Sequence, residues 1–352
     1  RLFDQVAAKF NNQEHPLLTR AVLVKRLFDV AATDSDVQGL VSRLGREPRD
    51  YFHEFVLAII SREANEKWLD REGREGSALL SVEEHVDLLA SVAREMWISS
   101  ADVLRHDVVD VVADIYCEET SRSPAIARQI REKLKLHALL TSGGGQQAGL
   151  AFDHEDFRYF FIGVALGRLC VTGSREDLRT FLRIAAISET AADEAFHIYQ
   201  RTGMPSRALI DRLLVLASGE LSTSFVLENV GRLLARALDG IGPEEGLNIK
   251  GITFGPSAFV GRSFRGWTFT GCYFAPSALE QTHLEGAVFS ECRFERIELG
   301  GTSCIAASLD HCEVACVVPR DEMPIFDPIE ISRVLGEVGF RVVGDAVNDA
   351  VR

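Results

Sequence analysis

The chain has 352 residues, 46% of them hydrophobic, and its 38 Lys and Arg stand against 52 Asp and Glu for a net charge of −14. The length predicts roughly two to four domains, the acidic balance excludes a nonspecific nucleic-acid binder, which needs a basic face, and no apolar run approaches the ~20 residues that span a bilayer. Seven cysteines without a C-x-x-C pair exclude a zinc ribbon and an extracellular disulfide framework, so the expected compartment is the cytoplasm, with no secretory leader.

The chain starts Arg1-Leu2-Phe3, without an initiator Met and already in a helical pattern, and is expected to be a piece or processed C-terminal half of something longer. Residues 1–50 read as helices with short breaks. His15-Pro16-Leu17-Leu18 marks a helix start with Pro16 in the first turn. Leu18, Val22, Leu23 and Leu27 follow, and Val37, Leu40, Val41 and Leu44 form a second stripe ending near Gly45. Phe52, Phe55, Val56, Ile59, Ile60 and Trp68 then lie along one helical stripe. After a charged turn at 70–73, Ser81 and Glu84 have capping-box spacing, ahead of Val82, Val86, Leu89, Ala93 and Met96. Asp102 is expected to cap a helix bearing Leu104, Val108, Val111, Val112 and Ile115, and Pro124 to open one bearing Ile126, Ile130 and Leu134.

Leu139-Leu140-Thr141 and Leu150-Ala151-Phe152, on either side of a Gly-rich turn, predict a β-hairpin with a loose tip. Helices followed by a small hairpin predict a winged-helix-like domain. The usual DNA-binding role of such a domain conflicts with the acidic balance. The tip is not a Walker A loop, and no such loop occurs in the chain. Next stands F-D-H-E-D-F-R-Y-F-F, from Phe152 to Phe161. Asp153 is the expected N-cap, His154 falls in the first turn, and Phe157, Phe160, Phe161, Val164, Ala165 and Leu169 form the buried stripe. A helix N-terminus offers free N–H groups to an anion, and an imidazole donor there suits a phosphate. Asp153, Glu155 and Asp156 oppose that by repelling one, and a capping histidine is the alternative.

This run resembles the F-x-H-x-x-F-x-E-F-F segment that closes the winged-helix domain of NACHT-type STAND NTPases, with Tyr159 where the family has Glu. The order upstream agrees: H-P-L-L at 15–18, the stripe from Tyr51 to Trp68, the helix from Ser81, the hairpin, then the His segment. The resemblance covers about 1–170. It implies that Pro16 packs against adenine and that His154 contacts the β-phosphate of bound ADP and holds a closed state. The Walker A and B segments would lie upstream of Arg1, so ADP or ATP with Mg belongs to a fuller protein carrying that NTPase core.

Residues 171–245 predict a helical spacer. Ser174 and Asp177 cap a helix bearing Leu178, Phe181, Leu182 and Ile184; Ala195, Phe196 and Tyr199 mark a second; Leu209, Ile210, Leu213 and Leu214 a third; and Val226, Leu227, Val230, Leu233 and Leu234 a fourth. Ile241-Gly242-Pro243 begins the clearest boundary.

From Ile249 large apolar residues recur every fifth position: Phe254, Phe259, Phe264, Phe269, Phe274, Leu279, Leu284, Phe289, Phe294, Leu299, Cys304, Leu309 and Val314. Two places before each centre runs a mostly small column that includes Cys272, Thr282, Ala287, Cys292, Thr302, Ala307 and Cys312. Two places after, turn residues such as Gly251, Pro256, Gly261 and Gly271 are common. Neither a helix nor a flat strand has this period. The frame at 246–318 resembles the pentapeptide-repeat family. That resemblance implies a right-handed, four-sided β-helix with four pentapeptides per coil, so that residues twenty apart stack. The frame yields three and a half coils and a rod ~17 Å long at the usual strand spacing. Cys272, Cys292 and Cys312 are expected as buried thiols packing a narrow core rather than as a metal or redox ladder. Seven acidic and five basic residues over 246–318 make the rod a poor imitation of duplex phosphates. In the tail 319–352, Ile331, Val334, Leu335 and Val338 predict a helix ended by Gly339, then a strand at 340–343, expected as a cap on the rod or the start of a further small domain.

Neither H-E-x-x-H nor G-x-S-x-G occurs. The expected architecture is multidomain and mainly α, with the end of an NTPase-associated helical domain at 1–50, a winged-helix-like domain at 51–170 and a helical spacer at 171–245, followed by the β-helix and a small α/β tail. The expected function is the regulatory and sensor portion of a STAND switch in antiviral defence. It recognises a foreign, for example phage, or host protein through its C-terminal region and oligomerises on activation. No direct nucleic-acid or membrane partner and no catalytic site are expected within the chain. The alternative is a stand-alone pentapeptide-repeat scaffold that binds proteins without nucleotide.

Overall fold

The computed structural model describes residues 51–343 except 72–75, 143–148, 220–222, 240, 244–246, 248 and 321–322, together with Lys25. The helices expected over 1–50, and Pro16 with them, lie outside the described residues. The chain forms two compact units, Arg1–Ala165 and Leu166–Arg352.

In the first unit α1 (Tyr51–Arg62) runs into a π-helical turn at Glu63–Lys67. Phe55, Val56, Ile59, Ile60 and Trp68 of the expected stripe are buried. The capping box at Ser81 starts α2 (Val82–Ile98), with the Ser81 side chain accepting from the Glu84 N–H and the Glu84 carboxylate accepting from the Ser81 N–H. The sequence pattern puts Leu104 on a helix capped by Asp102, but Leu104–Arg105 form a short strand, β1, and α3 (His106–Glu119) starts after it without a side-chain cap. Asp102 instead pairs with Arg158. The inward face of α3 is Val109, Ala113, Tyr116 and Cys117, while Val111 and Ile115 are 55% and 51% exposed. An apolar run broad enough to fit two helical faces was resolved by β1, which sets where α3 begins. Ser123 caps α4 (Pro124–Leu134). The hairpin forms as expected, with β2 (Leu140–Ser142) antiparallel to β3 (Gly149–Phe152), and β1 on the other edge of β3. α5 (Glu155–Thr172) follows, and the division between the units falls within it.

In the second unit come α6 (Arg175–Leu182), α7 (Glu189–Arg201), α8 (Ser206–Ala217) and α9 (Ser224–Leu238). Ser174 and Asp177 form the second capping box. Buried Asn229 on α9 accepts from the Ile187 N–H and donates to the carbonyls of Leu182 and Ala185, fastening the α6–α7 connection. α9 also packs on the first coil of a parallel β-solenoid of about 4 turns. The approach is close enough that a Cβ on Gly231 would lie 2.0 Å from the Thr253 carbonyl oxygen.

The solenoid keeps the twenty-residue register. Ile249 pairs with Phe269, Phe269 with Phe289 and Phe289 with Leu309 in one ladder; Phe254, Phe274, Phe294 and Val314 align in another. The apolar centres are buried except for half-buried Leu299. Phe254, Phe274 and Phe294 stack with centroids 5.1 and 4.6 Å apart, and Phe269 stacks on Phe289 at 5.2 Å. These separations are the coil spacing itself, so each ring is in contact with the one above. The small column also repeats its hydrogen bonds. Thr282, Cys292, Thr302 and Cys312 each donate to the carbonyl 23 residues earlier, those of Phe259, Phe269, Leu279 and Phe289. Cysteine and threonine thus occupy equivalent places, and each thiol packs and donates like a hydroxyl.

The tail adds to the solenoid. β4 (Ser308–Asp310), a strand of the last coil, pairs in parallel with β5 (Arg341–Val343), placing Val342 over Leu309, and α10 (Pro328–Glu337) buries Ile331 and Leu335. Ile325 also pairs with Val317.

Candidate functional site

His154 stands at the turn that joins β3 to α5. The Asp153 N–H donates to the Leu139 carbonyl, 2.9 Å, which continues the hairpin by one residue before the chain bends. The first helical residue is Glu155, so His154 holds the N-cap position instead of sitting in the first turn. Its Nδ1 accepts from the Asp156 N–H at 3.2 Å, and its carbonyl accepts from the N–H groups of Phe157 and Arg158. An imidazole in this role has its neutral-form proton on Nε2, and that N–H is the donor left for a ligand. The Asp156 carboxylate also lies 3.4 Å from Nδ1, and both side chains are mostly buried.

The ring is held edge-on to Phe157, centroids 6.5 Å apart. Phe157 in turn stacks on Phe52 of α1 at 5.9 Å and on Phe55 at 6.3 Å. The aromatic stripe of α1 therefore sets the seat of α5, and through it the position of His154. One turn further along α5, Arg158 pairs with Asp102 and lies with its guanidinium 5.2 Å from the centre of the Tyr159 ring. The sequence reading missed Arg158. Its signal was the i, i+4 spacing from His154, which puts both side chains on one side of the helix.

Chemically, the arrangement provides one imidazole N–H donor and a nearby guanidinium at a helix N-terminus, where backbone dipoles favour negative charge. It fits a single hydrogen bond to a phosphate oxygen. Asp153, Glu155 and Asp156 around it limit how much negative charge it accepts. Pro16, the other residue expected to touch nucleotide, lies outside the described residues.

On the solenoid, charged side chains pair between neighbouring coils. Arg265 grips both oxygens of Glu285 at 2.9 and 3.1 Å, Ser303 Oγ donates to the same carboxylate at 2.8 Å, and Arg293 approaches Glu313. The hydrogen bonds from Arg265 above all bring the Glu285 carboxyl down to about 2. Among the described residues, no three or more His, Cys, Asp or Glu are grouped to hold a metal ion, and no helix is long and apolar enough to cross a membrane.

No protein-family model matches the chain, and no curated protein matches it.

Proposed function

We propose that the chain is the regulatory and sensor portion of a NACHT-type STAND NTPase switch acting in antiviral defence. The observation that carries this reading is the placement of His154. Directly after a hairpin, within F-x-H-x-x-F, it caps α5 through Nδ1 and leaves Nε2–H as a donor. The order α2, β1, α3, α4, β2, β3, with the sheet order β1-β3-β2, supports a winged-helix reading of 51–170. The twenty-residue register supports a four-sided pentapeptide-repeat reading of 246–318.

On this reading an upstream NTPase core holds ADP or ATP with Mg, and the nucleotide supplies the phosphate that His154 senses. His154 binds and orients that phosphate, and its loss releases the closed state. The rod and the helices packed on it form the recognition surface for a foreign or host protein. A protein ligand opens the switch only to the extent that it binds the open form more tightly than the closed one. Opening is followed by nucleotide exchange and oligomerisation.

The test is the nucleotide content of the full-length gene product, denatured and assayed by chromatography beside a His154→Ala version. Wild type should carry ADP, and the variant should lose it or become active without ligand. A full-length protein free of nucleotide sinks this reading and leaves the scaffold reading. What favours the scaffold is that Arg236 of α9 and Arg262 of the first coil share the Asp193 carboxylate of α7, while α9 packs directly on that coil.

A further inference from the structure

In the first unit, two histidines unused by the reading above lie in a closed cluster. His85 on α2 is wholly buried, and neither ring nitrogen has a hydrogen-bond partner among the described residues. Its ring meets Trp68 edge-on at 4.4 Å and His137 at 5.6 Å. Trp68 ends the π-helical turn after α1, and its backbone is fixed at both ends, by Glu63 and by Leu79. His137 stands between α4 and β2, with Nδ1 accepting from the Leu139 N–H at 3.1 Å. Among the described residues, few charged groups face the cluster. Glu63, itself buried, is held by Lys67 at 2.5 Å, and Lys133 on α4 donates to the Lys67 carbonyl. The cluster thus joins α1, α2, α4 and the hairpin, and it closes only while His85 is uncharged, because a buried cation without a dedicated partner is strongly disfavoured.

We propose that the His85–Trp68–His137 cluster is an acid-sensitive latch: it fastens α2 to the hairpin at neutral pH, and mild acid loosens α2 by protonating His85 in the open form. Burial above all, then His137, pushes the His85 imidazole down to about 3, with Glu63 opposing. Once exposed to water the same ring titrates near its ordinary ~6.5. The sign follows from this difference. Below pH ~6.5 protons bind the open form and not the closed one, so the closed form loses stability steadily as pH falls towards 3. Between pH 7 and pH 5 the opening equilibrium should rise about 25-fold.

The experiment is hydrogen exchange of the full chain at pH 7 and pH 5, expressed as protection factors corrected for intrinsic rate. Peptides from α2 should lose about 25-fold protection, while solenoid peptides around Phe269 and Phe289 serve as the internal control. In His85→Phe or His85→Leu the α2 loss should fall to that of the control. The proposal is overturned if wild-type α2 protection changes no more than the solenoid, or if a folded variant keeps the full loss. If both variants lose α2 protection already at pH 7, the His85 ring proton is followed by NMR in wild type. A midpoint near 6.5 with α2 protection unchanged would equally overturn it.

Discussion

Two glycines, each within a helix of the second unit, should respond to the same substitution with opposite signs. Gly→Ala in a helix interior ordinarily stabilises by ~1 kcal/mol, because glycine loses the most backbone freedom on folding. At Gly336 in α10 an added Cβ meets open space, so Gly336→Ala should gain ~0.5–1 kcal/mol. At Gly231 the added Cβ would fall 2.0 Å from the Thr253 oxygen and 2.9 Å from its carbonyl carbon. Both are backbone atoms of the first coil and cannot rotate aside. Restoring a van der Waals distance therefore needs a shift of ~1 Å by α9 or by the coil, and overpacking of this kind costs ~1–3 kcal/mol or more. Offset against the propensity gain, Gly231→Ala should lose ~2 kcal/mol, a fall in melting temperature of ~4–8 °C for a unit this size. Urea unfolding followed through buried Trp267, with thermal melts alongside, measures both variants. If Gly231→Ala is as stabilising as Gly336→Ala, then α9 does not seat on the rod, and the helical spacer and solenoid are not one module.

The same junction holds three buried arginines. Arg236 pairs with Glu189 at 2.5 Å and Asp193 at 2.7 Å and donates to the Arg232 carbonyl; Arg262 on the solenoid reaches the same Asp193 oxygen at 3.2 Å. Arg236→Met should cost ~2–3 kcal/mol rather than more, since the two carboxylates left behind are partly solvated, and chemical denaturation in a double-mutant cycle with Asp193→Asn should show coupling between the two sites. In the turn column Gly251 and Gly271 have φ of 64° and 59°, and Glu291 and His311 repeat that left-handed backbone at 55° and 49°. Glu291→Gly should therefore stabilise by ~0.5–1 kcal/mol, and a lower urea midpoint would contradict it. Within the small column, Cys292→Ser keeps a donor for the Phe269 carbonyl, whereas Cys292→Ala does not. Serine should be the better tolerated of the two in thermal melts, by ~1 kcal/mol, and the reverse order would mean that the thiol acts by volume alone.

Much of this architecture was legible in local sequence. The capping boxes at Ser81 and Ser174 and the Ser123-Pro124 start place helix ends through contacts three residues apart, which sequence spacing records directly. The period of five likewise fixed the solenoid register, because every coil repeats the same inward positions. The extent of α3 was not legible. Val111 and Ile115 carry the same apolar signal as Val109, and only the pairing of Leu104 with Leu150 in β3 decides which face turns inward. Asp102 has the chemistry of a cap, yet it pairs with Arg158, 56 residues away. His85 and His137 belong to no sequence motif, and their meeting around Trp68 depends on three separate segments converging.

Local or periodic causes were readable from residue order: the capped starts of α2, α4 and α6, the hairpin, the buried phenylalanine columns and the position of His154 just after the hairpin. The tertiary structure alone decided which polar groups are buried together. It gathered Arg232, Arg236 and Arg262 with Glu189 and Asp193 where α7, α9 and the first coil meet, and it laid β5 on β4 across a gap in the repeat. It also made His154 the cap of α5. The physical reason is common to these cases: a charge or a strand edge is satisfied by whatever partner the fold brings within about 3 Å, and sequence separation says nothing about that distance.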